Sequence, residues 1–159
     1  MTIIDRISPN RGARPRGIPI SAIVVHNTGA RTADSTISWF LNPRSQVSSH
    51  VVIDVAGNIF RCVPDEMRAW HAGESQLFGQ PDVNDFSLGA ELVAIDGDEY
   101  SHEQFNALVE WTALAVSRYV IPLNRIVGHV HVSPGRKVDP GPTFPWFRYL
   151  VSVAKRVNL

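Results

Sequence analysis

Residues 20–26 (ISAIVVH) form a short β-branched run, the pattern of a strand buried on both faces. Such a strand needs covering layers above and below its sheet, which constrains the chain more than any other segment. Residues 50–54 (HVVID) and 58–63 (NIFRCV) flank Val55-Ala56-Gly57 as a hairpin, and 88–95 (LGAELVAI) reads as a further strand closed by Asp96-Gly97-Asp98. Residues 125–132 read as one more short strand. Helical spacing predicts residues 33–41, with Ile37, Phe40 and Leu41 on one face. It also predicts 101–120, with Ser101 as N-cap and Phe105, Leu108, Trp111, Leu114, Ala115 and Val116 as the apolar stripe. A terminal helix is expected over 144–157, with Pro145 in its first turn. Trp39, Trp111 and Trp146 fall on apolar helical faces and read as core, as does Cys62. The order predicts a single α/β domain with a central mixed β-sheet flanked by helices.

Outside this pattern, residues 8–19 hold three prolines and two glycines, so 1–19 reads as an irregular basic leader packed on a domain spanning 20–159. Residues 64–86 show no period, and a structureless stretch of that length in a small domain is usually functional.

Charge excludes some classes of partner. Fifteen Lys and Arg balance fifteen Asp and Glu, so the broad basic footprint of a nucleic-acid binder is missing. The balance is uneven, because residues 74–110 carry nine acidic side chains and no Lys or Arg. That run reads first as a solvated face, or as an acidic flank that would favour cationic peptides. No run approaches 18 apolar residues, so membrane insertion is not expected. One cysteine cannot form an intramolecular disulfide. The N-terminal residues lack an apolar core segment, which gives the expectation of cytoplasmic synthesis without a signal peptide.

Six histidines carry most of the potential chemistry: His26, His50, His71, His102, His129 and His131. His26 ends the buried strand, at the edge where α/β sheets build their sites. His129 sits late in another strand, and Asp139 follows ten residues on across a Pro/Gly-rich turn. Two histidines and a carboxylate make a catalytic zinc set with one position left open. Spacing alone leaves His71 and His131 as competitors, since His129 and His131 on a strand would share a face. Glu91 stands out because a strand glutamate among apolar residues is rare unless paired. No GxGxxG or P-loop pattern is present, which argues against a nucleotide cofactor.

Five segments, in order, carry a resemblance: Val24-Val25-His26-Asn27-Thr28-Gly29, residues 47–57 (VSSHVVIDVAG), Ala69-Trp70-His71-Ala72-Gly73, residues 87–92 (SLGAEL) and residues 128–142 (GHVHVSPGRKVDPGP). Together, over about residues 20–150, they resemble the zinc-dependent N-acetylmuramoyl-L-alanine amidases, a family that includes phage lysozyme-type amidases and peptidoglycan recognition proteins. The resemblance implies that His26, His129 and Asp139 hold one Zn²⁺ per chain, with His131 a bystander. It implies that Glu91 is the catalytic carboxylate and Lys137 the cation that stabilises an oxyanion. His50 becomes a supporting residue beside the metal, and Asn27, Trp70 and His71 become substrate contacts. Some members carry a tyrosine where Ser49 stands here, so the presence of Glu91 marks the glutamate-using subtype.

The activity so implied is cleavage of the amide between N-acetylmuramic acid and L-alanine in peptidoglycan, by a monomer whose partners are peptidoglycan or muropeptides. A phage or prophage endolysin, acting on the cell wall after release, is the first expectation. The alternatives are a cytoplasmic amidase that recycles anhydro-muropeptides and a peptidoglycan-binding module without catalysis.

Overall fold

The structure is a computed structural model, and it describes residues 2–158. Its strands are β1 (Ile3–Asp5), β2 (Arg11–Ala13), β3 (Ala22–Asn27), β4 (Val51–Ile53), β5 (Ile59–Arg61), β6 (Met67–Ala69), β7 (Gln76–Leu77), β8 (Gln80–Pro81), β9 (Ser87–Leu92) and β10 (Ile126–Gly128). Its helices are α1 (Ala33–Leu41), α2 (His102–Tyr119), α3 (His129–Val132) and α4 (Trp146–Arg156). Six strands form one mixed sheet in the order β1-β5-β4-β9-β3-β10. β3 lies between β9 and β10 and runs parallel to both, while β4 and β5 pair antiparallel as the expected hairpin. The fold is the expected α/β architecture, a central mixed sheet flanked by helices.

Strand periodicity decides what each face does, because successive side chains point to opposite sides. Ile23 and Val25 of β3, with Leu88, Ala90 and Leu92 of β9, enter one core with Phe105, Leu108 and Trp111 of α2 and Tyr149 and Val153 of α4. Helix α2 begins where Ser101 accepts a hydrogen bond from the Gln104 N–H, the N-cap that satisfies an otherwise orphaned donor. Gln104 then turns inward, fully buried, and donates to the Ile53 and Val93 carbonyls.

The opposite face is covered in two separate pieces. Ala22 and Val24 pack with Ala72, Leu77, Val83 and Phe86 of the segment before β9, together with Val132 of α3. Val52 of β4 packs with Ala33, Ile37 and Phe40 of α1 and with Cys62, whose thiol burial pushes up to about 12. At the carboxyl ends of β3 and β9 His26 stands opposite Glu91 in the register, and both line a cleft between the two pieces.

The structure corrects several expectations. The leader is not wholly irregular, because β1 extends the sheet parallel to β5 and β2 pairs with β6. Arg14 packs the leader on the domain: it is partly buried and donates to the carbonyls of Asp65, Asn84, Asp85 and Ser87. Residues 64–86 hold three short strands and a 3-10 turn at Val83–Asp85. The strand expected over 125–132 stops at Gly128 and gives way to the single helical turn of α3. Trp39 is 56% exposed rather than core, since Ile37 and Phe40 take the buried face of α1. Among the described residues no helix is long and apolar enough to cross a membrane.

Gly128 closes β10 where the Asp139–Pro140 segment crosses it. A Cβ there would lie 2.7 Å from Pro140 Cδ and 3.0 Å from Trp146 Cζ2. Gly128→Ala is expected to destabilise the protein by about 1–3 kcal/mol through overpacking. Chemical denaturation measures it, and an unchanged midpoint would show that the segment shifts freely.

Candidate active site

The carboxyl ends of β3 and β9 open into a cleft of about 580 Å³, lined by His26, Asn27, His71, Glu91, His129, Lys137 and Asp139 on one side. Residues of α1, Trp39 and Phe40 among them, and Val47 line the other side. His26 and Glu91 come from neighbouring strands, and His129 from the first position of α3. Asp139 and Lys137 follow on the turn behind α3.

His26 Nδ1 lies 3.0 Å from His129 Nδ1 and 3.0 Å from Asp139 Oδ2, and His129 Nδ1 lies 3.1 Å from the same oxygen. The three atoms form a nearly equilateral triangle, and these residues are the one group of candidate metal ligands found among the described residues. Bonds of ~2.0–2.1 Å to a tetrahedral zinc place donors about 3.3 Å apart, close to the spacing present. Two imidazole nitrogens and a carboxylate are also the donor types that suit zinc. The residues therefore fit the ion.

Ionisation differs sharply between the two carboxylates. Burial pushes Glu91 well above the usual range, with the Asp139 charge adding to it and Lys137 opposing. One Glu91 oxygen, Oε2, is buried with no hydrogen-bond partner. Burial would raise Asp139 too, but hydrogen bonds from His129 and His26, and their charges, hold it well below the ordinary carboxylate range. Burial lowers His26 to about 4, against the hydrogen bond to Asp139, and lowers His50 to about 3, with the Arg14 charge adding to it. His71 is lowered by burial and by its neighbours His26 and His50. A pair of carboxyls pushed in opposite directions is the arrangement acid–base sites use.

Other residues singled out from sequence fall in different places. His50 is fully buried and touches no member of the triad. Its Nδ1 accepts from the Gly89 N–H at 2.9 Å, and its Nε2 lies 2.9 Å from Arg14 Nη2. Asn27 lines the cleft, but its amide donates to Asp96 and to the Pro140 carbonyl. Trp70 is not among the lining residues; its backbone bonds to Ser48, and its ring lies toward Gly12. His71 is 6% exposed, with its ring nitrogens beside His26 and Ser87. His131 no longer shares a strand face with His129. Its Nδ1 accepts from the Gly128 N–H, and its ring packs against Trp146. Of the acidic run only Glu91 lines the cleft, because Asp85 pairs with Arg68 and Asp96 with Asn27. Sequence reasoning missed Asn84, whose Oδ1 accepts the His71 and Ala72 N–H groups, since no local pattern links residues so placed.

The N-acetylmuramoyl-L-alanine amidase model matches residues 16–142, and the chain belongs to that amidase type 2 family. Its curated relatives include the 1,6-anhydro-N-acetylmuramyl-L-alanine amidase AmpD of Citrobacter freundii. That relative is 35% identical over 159 aligned residues, covering 89% of this chain and 85% of the relative. The solved structure of a selenomethionine AmpD derivative superposes with a TM-score of 0.87 at 33% identity, covering 94% of this chain and 93% of that one. Escherichia coli AmiD, solved as a complex with anhydro-N-acetylmuramic acid-L-Ala-D-gamma-Glu-L-Lys, gives a TM-score of 0.79 at 31% identity, covering 88% of this chain and 58% of AmiD.

The Glu91 environment predicts a pH signature in the metal-free protein. Its folded value is raised, so below the unfolded value of ~4.3 both states keep the proton and nothing is lost. Above it the unfolded chain releases a proton that the folded state retains, and stability falls by about 1.4 kcal/mol per pH unit. Glu91→Gln removes that slope. Thermal melts in chelator are expected to show the variant more stable than wild type at pH 7–8, with the gap closing toward pH 4. Parallel melting curves across that range would contradict the assigned environment.

Proposed function

We propose that this chain hydrolyses the amide between the lactyl group of N-acetylmuramic acid and L-alanine, with soluble anhydro-muropeptides as substrate. The observation that carries the proposal is Glu91, buried with an unpartnered oxygen and sharing a cleft with the triad of His26, His129 and Asp139. The substrate class is supported by near full-length similarity to AmpD, named for anhydro-muramyl substrates, and by the anhydro-muramyl peptide in the AmiD complex. This reading replaces the endolysin expectation, because the relatives of near full-length coverage are named for anhydro-muramyl substrates.

In this reading His26, His129 and Asp139 would hold one Zn²⁺. The chemistry the ion supplies when bound is Lewis acidity, which polarises a carbonyl and acidifies water. Glu91 takes a proton from the attacking water as its oxygen bonds to the lactyl carbonyl carbon. The same carboxyl then returns that proton to the alanine nitrogen as the carbon–nitrogen bond breaks. The products are a lactyl carboxylate and a peptide with a free N-terminal L-alanine. An environment that resists ionisation suits this double role, because it makes Glu91 a strong base and then a ready acid. Lys137 lines the same cleft, and its ammonium would stabilise the negative charge that develops on the carbonyl oxygen. Trp39 offers an exposed aromatic face across the cleft against which substrate can lie. One chain carries every residue named, so the reading needs no second copy.

Mass spectrometry of products tests the proposal. Anhydro-muropeptide is expected to yield stem peptide with free L-alanine, and chelator should abolish that product until zinc is restored. Glu91→Gln should lower kcat by about 10²–10⁴-fold with zinc content unchanged. Equal cleavage of intact sacculi would favour the endolysin reading, and binding of sacculi with no product would favour the binding module.

A further inference from the structure

A neutral imidazole carries one N–H and one lone pair, so each metal-facing Nδ1 is a ready donor only when the proton sits on Nε2. That proton needs an acceptor. His129 Nε2 lies 3.1 Å from the Ala72 carbonyl, a group that can only accept. The same carbonyl also accepts from Arg136 Nη2, within the capacity of its two lone pairs.

His26 is fixed by a longer chain of bonds that ends one residue earlier. Its Nε2 lies 3.0 Å from His71 Nδ1, which accepts only if His71 carries its proton on Nε2. Ser87 decides this. Its hydroxyl donates to the Val83 carbonyl at 2.6 Å, leaving Oγ lone pairs to accept from His71 Nε2 at 3.1 Å. The proton direction therefore runs from His26 to His71, from His71 to Ser87 and from Ser87 to Val83, with one assignment consistent at every step. The whole chain is buried.

His71 and Ala72 are themselves held in place. Asn84 Oδ1 accepts the N–H of His71 at 3.1 Å and of Ala72 at 2.8 Å, so one side-chain oxygen clamps both residues. The His71 ring reaches its position because β9 has glycine beneath it. A Cβ on Gly89 would lie 2.7 Å from His71 Cγ.

We propose that the His71–Ala72 dipeptide, clamped by Asn84 and oriented by Ser87, is a positioning device that accepts the Nε2 protons of both His26 and His129 and so presents their Nδ1 atoms to the metal. This makes His71 a positioning residue rather than the substrate contact expected from sequence. The proposal rests on the triad being the metal site, as argued under Proposed function.

Long-range proton–nitrogen correlation spectra of zinc-loaded wild-type protein, labelled with ¹⁵N histidine, read the tautomers directly. Nε2–H at His26, His71 and His129 is expected, and a dominant Nδ1–H form of His71 overturns the proposal without need of any variant. Zinc affinity, measured by competition with a chromophoric chelator, is expected to fall about 10–100-fold in His71→Leu. Ser87→Ala should mix the His71 tautomers, and His71→Asn, whose amide oxygen can accept, should recover part of the affinity. Melting of each metal-free variant verifies folding, and a folded His71→Leu that binds zinc within threefold of wild type also overturns the proposal. Wild-type protein that binds no zinc would instead sink the metal reading itself.

Discussion

The parallel pairing of β3 with β9 is the contact on which everything else depends. Six residues of each strand lie in register, with His26 opposite Glu91 and Asn27 opposite Leu92. Because side chains alternate, this one alignment sends Ile23, Val25, Leu88 and Ala90 into the core under α2 and α4. It sends His26, Gly89 and Glu91 to the other face. A slip of one residue would bury the chemistry and expose the core. Stability and function are thus set by the same register.

On the chemical face, the fold concentrates groups that resist charging. Burial lowers His26, His50 and His71, burial and the Asp139 charge push Glu91 upward, and the two histidines beside Asp139 hold it low. Two imidazole nitrogens and a carboxylate oxygen converging on one point inside a protein wall make a site arranged for a cation. Glu91 lines the same cleft from the neighbouring strand β9. Burial raises it first, with the Asp139 charge adding and Lys137 opposing.

Much of this was legible in the residues. The β-branched run ending in His26, the hairpin around Val55-Ala56-Gly57 and the Ser101-capped helix are local patterns, and each forms where its period places it. The unusual setting of Glu91 was legible because a carboxylate among apolar neighbours demands a reason, and it is buried with one oxygen unpartnered. Other features were not local. Residues 125–132 look β-prone, but Gly128 allows the Asp139–Pro140 segment to cross so closely that the chain turns into α3 there. Trp39 has a core residue's composition yet lines the cleft, because Ile37 and Phe40 take the buried face of α1. The leader looked irregular because its strands are only three residues long and are specified by their partners β5 and β6.

The sequence by itself determined the alternation of strands and helices, the buried strand that ends in a histidine, and the set of residue types able to hold zinc and move a proton. It could do so because periodicity and the chemistry of side chains act over a few neighbours. Only the tertiary structure decided which histidines meet. His26, His71, His129 and Asp139 are separated by up to 113 positions and converge through sheet register and one clamped dipeptide. Bonds between groups so distant in sequence depend on how layers pack, and no local pattern encodes that.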